Sequence, residues 1–300
     1  RRGKIQVTLT LNPDCTVLLN AASIEVGGGS NTCNILGCAE VLRFLGIGPE
    51  DIHWTSFVDT NDGVKDCVQT DSAVSYLQSE VMVFAAREMK EKLRQAAATI
   101  LKLPPSDIDF ADGKVLVASQ PALSLTIKEM LRRGDNAPIT VAYSRSPDTK
   151  RTGVPYFANF AEVEVDVSTG KVTPLKFVVL NDCGTVMYAS GAESQQIGGQ
   201  VTGMGEALTE EIIYDKATGI PLNFNWVDYQ IPTMADMPDI DPVLLEVWRG
   251  VGEYGACGIG EGTVSCTPGA IANAIYNAIG VRVNEIPIKP EKILKALGKD

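Results

Sequence analysis

The chain has 300 residues, long enough for two ordinary domains or one large one, each with its own core. With 45% hydrophobic and 21% charged residues it has the composition of a globular protein, and no window approaches the ~18 uninterrupted apolar residues of a membrane span. A net charge of −11, with no Lys/Arg cluster to offset it, argues against nucleic acid and anionic membrane as partners.

Residues 4–23, KIQVTLTLNPDCTVLLNAAS, alternate apolar and polar side chains on both sides of Asn12-Pro13-Asp14, which predicts a β-hairpin. IEVGGGSNTCNILGCAEVLRFLGI follows, read as strand, glycine loop and helix, with apolar residues at helical spacing from Cys33 to Leu45. PEDIHWTSFVDTNDG adds a strand and a polar turn. From Gln69 to Leu101 a helical pattern runs for about eight turns, with Thr70-Asp71-Ser72 supplying N-cap chemistry. LPPSDIDF, GKVLVAS and SLTIKEMLRRGD predict two short strands and a helix, and the polar, turn-rich stretch 135–155 is the expected boundary or excursion.

The second half opens on YFANFAEVEVDVSTGKVTPLKFVVLNDCG, two long alternating strands joined at Ser168-Thr169-Gly170. SQQIGGQVTGMGEALTEEI predicts a glycine-bearing helix, after which a long irregular stretch leads to the strand VLLEVW and the helices PGAIANAIYNAIG and KPEKILKAL. Hairpins alternating with long helices predict an α+β fold of mainly antiparallel sheets with long packed helices, in two domains, 1–145 and 146–300.

Seven cysteines, an odd number with no CxxC spacing, weigh against a zinc site, an iron–sulfur cluster or a disulfide framework in this chain. The single histidine, His53, is read as structural, which leaves no room for His-based catalysis. Gly27-Gly28-Gly29 before a helix could cradle an anion on backbone amides or simply make a tight turn, and it matches neither a Walker sequence nor GxGxxG. Thr70-Asp71-Ser72 is open to the same two readings, anion site or plain N-cap, and for Gln200 the plainer reading is helix–helix contact through neighbouring glycines.

Gly258-Ile259-Gly260-Glu261-Gly262 differs, because three glycines around one carboxylate cost backbone entropy. A chain accepts that cost where backbone must approach another group or take positive φ. A carboxylate held there and partly desolvated would have a raised pKa and could serve as a general base. A glutamate that merely caps the following helix is the alternative.

Taken in order, these segments resemble the xanthine oxidase family of molybdenum hydroxylases. Gly260-Glu261 and the small-residue helix after it resemble that family's catalytic-glutamate segment, and Glu25-Val26-Gly27-Gly28-Gly29 its Glu-x-Gly-Gln-Gly loop. Thr70-Asp71-Ser72-Ala73-Val74-Ser75 is similar to its Ser-rich pterin-phosphate segment, and Gly199-Gln200-Val201 to its Gly-Gln-Val helix. The resemblance runs from about residue 4 to 296 and covers the second half of the family's molybdenum-binding region, a layout similar to the medium molybdopterin subunit of split enzymes of the nicotinate dehydrogenase type. Two positions depart from the pattern: Gly28 stands where the family often has Gln, and Cys257 where a Lys commonly precedes the Gly-x-Gly-Glu.

The resemblance implies molybdenum held by molybdopterin, in its cytosine dinucleotide form, so that the metal takes no ligand from this chain. It implies Glu261 as the catalytic base and Gly27, Gly28, Gly29, Thr70, Asp71, Ser72, Ala73, Val74, Ser75, Gln200 and Gly260 as cofactor-binding residues. A large molybdopterin subunit, an iron–sulfur subunit with 2Fe-2S clusters and an FAD subunit are the implied partners, in the cytoplasm. The implied reaction places a water-derived oxygen on an electron-poor carbon of a small molecule, an N-heteroaromatic such as nicotinate or a purine. A non-catalytic pterin-binding scaffold or a molybdenum-cofactor carrier is the alternative.

Overall fold

The computed structural model describes residues 4–55, 72–146, 154–247 and 254–299, and the chain divides into two compact units. One comprises Arg1–Gly153 with Gly250–Cys257, the other Val154–Arg249 with Gly258–Asp300.

In the first unit the N-terminal alternation becomes pairing: β1 (Ile5–Leu11) and β2 (Val17–Ala21) form an antiparallel hairpin. Asp14 closes its turn, accepting from the amide of Thr16 at 3.0 Å and from its hydroxyl at 2.7 Å. Ile5, Val7, Leu9 and Leu11 all point inward, as period-two alternation requires. β3 (Ile52–Trp54) joins β2 in parallel, with the single histidine, His53, on an exposed position. No strand forms at 24–26, where Ile24 and Val26 are exposed and lie outside any sheet.

Helix α1 (Ser30–Val41) begins three residues before Cys33, and α2 (Ala73–Leu101) runs its expected eight turns. α2 lies across the sheet with Met82, Ala85, Met89 and Leu93 fully buried. β4 (Ile108–Ala111) and β5 (Lys114–Val117) form a second hairpin. α3 (Ile127–Arg133) follows, opened by a capping box in which Thr126 and Glu129 satisfy each other's amides.

The stretch expected to be a boundary contains a strand, β6 (Ile139–Arg145), paired with β1 along all seven residues. Its signal was there in Ile139, Val141 and Tyr143, alternating among polar residues, but only Val141 is fully buried, so the apolar face is thin.

In the second unit β7 (Tyr156–Asp166) and β8 (Lys171–Asp182) form the long hairpin around Ser168-Thr169-Gly170, with Gly170 at φ 76°. β9 (Asp239–Leu245) starts four residues earlier than expected and pairs in parallel with β8. Its Pro242 is tolerated because β9 is an edge strand. Parallel pairing of β3 and β9 makes two otherwise antiparallel sheets mixed.

Helices α4 (Ala189–Leu208) and α6 (Thr267–Ile279) cover one face of this sheet, with the four-residue α5 (Gly262–Ser265) leading into α6 and α7 (Pro290–Ala296) closing the chain. The core between them is apolar: Phe177, Val179, Met204, Ala207, Ile271, Ile275, Ile288 and Ile293. No helix among the described residues is long and apolar enough to cross a membrane.

Candidate functional site

The inner face of the second sheet changes character along its length. Ala161 of β7 pairs with Phe177 of β8 in the apolar core, Asn159 with Val179 one step on, and Phe157 with Asn181 one step further. Directly paired residues share a face, so the sheet turns from apolar to amide-rich toward Phe157. The turn bearing Glu261 lies at that end, because a Cβ on Gly262 would sit 2.0 Å from the Phe157 ring. Gly262 is required there by contact rather than by backbone conformation, since its φ is not positive.

Helix α4 clamps the turn from the other side. A Cβ on Gly199 would meet Thr263 Oγ1 at 1.9 Å, and one on Gly203 would meet the Thr267 Cβ at 2.5 Å. Glycines four apart on α4 therefore face threonines four apart on α5 and α6, which brings the helix backbones together. Thr263 Oγ1 donates to the Gly260 carbonyl at 2.9 Å, and the Val264 amide donates to the Glu261 carbonyl at 3.2 Å. Beneath them Gln200, wholly buried, donates to the Thr263 carbonyl at 3.2 Å while its own oxygen accepts from Thr267 Oγ1 at 2.9 Å and Asn159 Nδ2 at 3.4 Å. Expected at the cofactor, Gln200 has its amide occupied inside the unit and braces the turn from behind.

Glu261 itself is exposed, so the desolvation expected of it is not provided by the described residues. It does not cap α5 either: it stands at the N-cap position with no side-chain hydrogen bond to the helix. Among the described residues its carboxylate has neither hydrogen bond nor ion pair, although the backbone on both sides is fixed. Gln195, which sequence reasoning passed over, is half-buried, and its Oε1 would lie 3.1 Å from a Cβ on Gly260. Facing Gly199/Gly203 and Thr263/Thr267 at matched four-residue spacing was the signal that could have placed this turn on α4, and Gln195 beside it. Asn181 is wholly buried beside Phe157 with neither amide atom bonded among the described residues, and Gln196 Oε1 and Asn159 Oδ1 are likewise unbonded there.

The glycine loop belongs to the first unit. Gly27 and Gly29 take φ of 98° and 77°, which explains two of the three glycines. The anion at the start of α1 is Glu25: its carboxylate accepts from the amides of Gly27 at 2.9 Å, Gly29 at 3.0 Å and Asn31 at 3.0 Å, and from the Ser30 hydroxyl at 3.2 Å. Partial burial pushes this carboxyl up, but the three amides and the hydroxyl outweigh it and hold it below the usual range. A Cβ on Gly27 or Gly28 would meet nothing within 4 Å, so the loop's outer surface is open, and a side chain fits at Gly28.

The first turns of α1 and α2 touch. Cys33 is hydrogen-bonded to Ser75, and from the next residue of α1 Asn34 Nδ2 donates to Gln78 Oε1 at 3.2 Å. Ser72 sits at φ 52° and does not cap α2 with its side chain, contrary to the N-cap expected of it. Val74 is buried, Ala73 opens the helix, and Thr70 and Asp71 lie outside the described residues. Burial pushes the thiol of Cys38 up to about 12 and that of Cys183 up to about 11, which makes them packing residues rather than nucleophiles. Among the described residues no three His, Cys, Asp or Glu side chains are grouped as a metal site.

A family model for the molybdopterin cofactor-binding domain matches residues 2–238. The chain is 28% identical over 289 residues to the xanthine dehydrogenase molybdenum-binding subunit of Escherichia coli O157:H7, covering 95% of this chain and 38% of the relative. It is 29% identical over 309 residues to the aldehyde oxidoreductase molybdenum-binding subunit of the same organism, covering 96% and 38%. The crystal structure of quinoline 2-oxidoreductase from Pseudomonas putida 86 superposes with a TM-score of 0.80 at 25% identity, over 99% of this chain and 38% of that one. The chain thus spans well under half the length of the relatives it matches. Family model, relatives and fold agree, and the chain belongs to the xanthine oxidase family of molybdenum enzymes as a molybdopterin cofactor-binding region.

Proposed function

We propose that this chain is a molybdopterin-binding subunit of a multi-subunit hydroxylase that inserts water-derived oxygen at an electron-poor carbon, with Glu261 as the base. One observation carries the proposal. In a chain of this family a carboxylate is mounted on a turn fixed at Gly260, Gly262 and Thr263, yet it neither caps, pairs nor bonds among the described residues. A side chain with no structural duty on so constrained a turn is available for chemistry.

The residues fit the cofactor. The open surface of Gly27 and Gly28 lets a flat group lie against backbone, and while the start of α1 already holds the Glu25 carboxylate, the start of α2 carries Ser72 and Ser75 at an electropositive end where a phosphate is favoured. Gly29, Thr70, Asp71, Ala73 and Val74 complete those two segments in the proposal, Gly260 and Gln195 flank the base, and Gln200 braces it. When bound, the molybdenum cofactor, proposed as the cytosine dinucleotide form, supplies a Lewis acid and a two-electron sink. Glu261 takes up a proton at its carboxylate as the oxygen nucleophile attacks, a role worth about 10²–10⁴-fold in rate.

The remaining machinery belongs to partners: a large molybdopterin subunit for the rest of the cofactor region, and 2Fe-2S and FAD subunits for the electrons. The relatives are themselves named as subunits, which supports a heteromeric assembly. Xanthine and quinoline, in the names of two of these proteins, are N-heteroaromatics, which supports a purine or a pyridine such as nicotinate as the proposed substrate class. Native purification through this chain, with molybdenum and iron analysis, tests the assignment. Molybdenum in proportion to the chain, with larger partners, is expected, and Glu261→Gln is expected to keep that molybdenum while turnover falls by about 10²-fold or more. Unchanged turnover in that variant, or a metal-free chain purified alone, would sink it.

A further inference from the structure

The irregular stretch of the second unit between α4 and β9 is an ordered strap with its apolar side chains turned outward. Phe224 is 79% exposed, Trp226 87%, Val227 86% and Met234 87%, with Ile220 and Leu222 also exposed. A contiguous apolar segment of this kind is rare on the free surface of a monomer and marks an interaction site.

It is not loose chain. Asn223 pins one end, accepting from the Ile213 amide at 2.9 Å and donating to the Glu211 carbonyl at 2.6 Å. The Leu222 amide reaches the Ile213 carbonyl at 2.7 Å and the Asp215 amide the Ile220 carbonyl at 2.9 Å, making a short hairpin. Asn225 turns the chain by accepting from the Val227 amide at 2.9 Å, and Asp236 closes the far end on the Thr233 amide at 2.8 Å. Tyr229 donates to Glu210 at 2.8 Å, and Gly205 of α4 leaves the space into which Glu210 and Pro232 fit. Polar side chains fix the strap's backbone on itself, Gly205 of α4 packs against its Glu210 and Pro232, and the apolar side chains are left exposed.

We propose that this strap is the docking surface for the partner polypeptide that carries the rest of the molybdopterin-binding region, with Phe224 and Trp226 as its anchors. The inference rests on the function proposed above, because it names a surface for the large subunit invoked there. The occupant follows from length. Relatives with this fold carry well over half of their chain outside the matched region, so a large body of family-specific chain remains to be placed against this one. Charge narrows the complementary surface. From Ile212 to Asp236 the strap carries Asp215, Asp228 and Asp236 against the one cation Lys216, so the partner's groove should be apolar with a basic rim.

The full chain is tagged and purified from its own host as wild type and as Phe224→Ser with Trp226→Ser, and the large partner is identified by the family's molybdopterin-binding sequence and quantified by mass spectrometry. Recovery of that partner is expected to fall by at least about tenfold, as for loss of aromatic anchors, with the variant's circular dichroism unchanged. A photoreactive phenylalanine analogue placed at Met234 in the otherwise wild-type chain is expected to cross-link to the same partner, which tests the surface even where the double variant folds poorly. Undiminished recovery, a cross-link to a second copy of this chain, or no cross-link while the partner co-purifies, would overturn the docking surface and leave the hydroxylase standing. A wild-type chain recovered without molybdenum and without that partner would overturn the proposed function itself.

Discussion

Gly198 and Gly199 are neighbours on α4, and the structure predicts that changing each to Ala has opposite effects. At Gly198 a Cβ meets nothing within 4 Å, so Ala there only removes the backbone entropy of a helical glycine, a gain of about 0.5–1 kcal/mol. At Gly199 the same atom lands 1.9 Å from Thr263 Oγ1 and 2.7 Å from Thr263 Cβ, where ordinary contact begins at 3.4 Å. Rotating the hydroxyl away relieves the first clash but breaks its bond to the Gly260 carbonyl, and the second remains. The helices must therefore separate by several tenths of an ångström, at a cost typical of overpacking, about 1–3 kcal/mol. Urea or thermal unfolding followed by circular dichroism should place the two variants on opposite sides of wild type, about 2 kcal/mol apart. Equal stability of the two would refute the close helix contact, and with it the bracing of the Glu261 turn by α4.

Two further outcomes follow from the same geometry. Asn181 is buried with both amide atoms unbonded among the described residues, a burden of about 1–3 kcal/mol, so Asn181→Leu at similar volume should raise Tm by a few degrees, and a lowered Tm would mean the amide has a partner. Glu25 is held below its ordinary 4.5, so in the folded chain it stays ionised to lower pH than when unfolded. Its contribution is therefore fully present above pH 4.5 and lost as pH falls through the folded value, and the stability gap between wild type and Glu25→Gln should be widest near neutrality and close in acid. A gap independent of pH would remove Glu25 as the cap of α1.

Much of the fold was legible because its strands alternate cleanly and its turns carry their own chemistry. Asn12-Pro13-Asp14 and Ser168-Thr169-Gly170 each placed a hairpin, and the helices of 73–101, 189–208 and 267–279 carried their periodicity. What escaped was set by pairing at a distance. β6 is a strand because β1 offers it seven partners, and β9 extends back through Pro242 because β8 runs beside it, and neither fact is local to the segment concerned. The glycine loop was ambiguous for a related reason. Which anion its amides hold depends on where Glu25 points, and a residue two positions before the first glycine gives no sequence signal of folding back onto it.

The candidate site divides along the same line. The glycines around Glu261 were informative because Gly262 is spent on close approach to the Phe157 ring, where any Cβ would clash, and Gly260 lies close against the end of Gln195. The partly desolvated environment expected for the carboxylate was not legible, because Glu261 is exposed in this chain. Burial of a side chain is fixed by everything packed around it, and relatives sharing this fold are more than twice as long as the matched region. The bracing of the turn is therefore intrinsic to its own unit, whereas nothing among the described residues excludes water from its carboxylate. On the proposed role of Glu261 as base, a turn that fixes the backbone and leaves the carboxylate bare sets the position, and the closed surroundings in which a positioned base acts are left to whatever covers it.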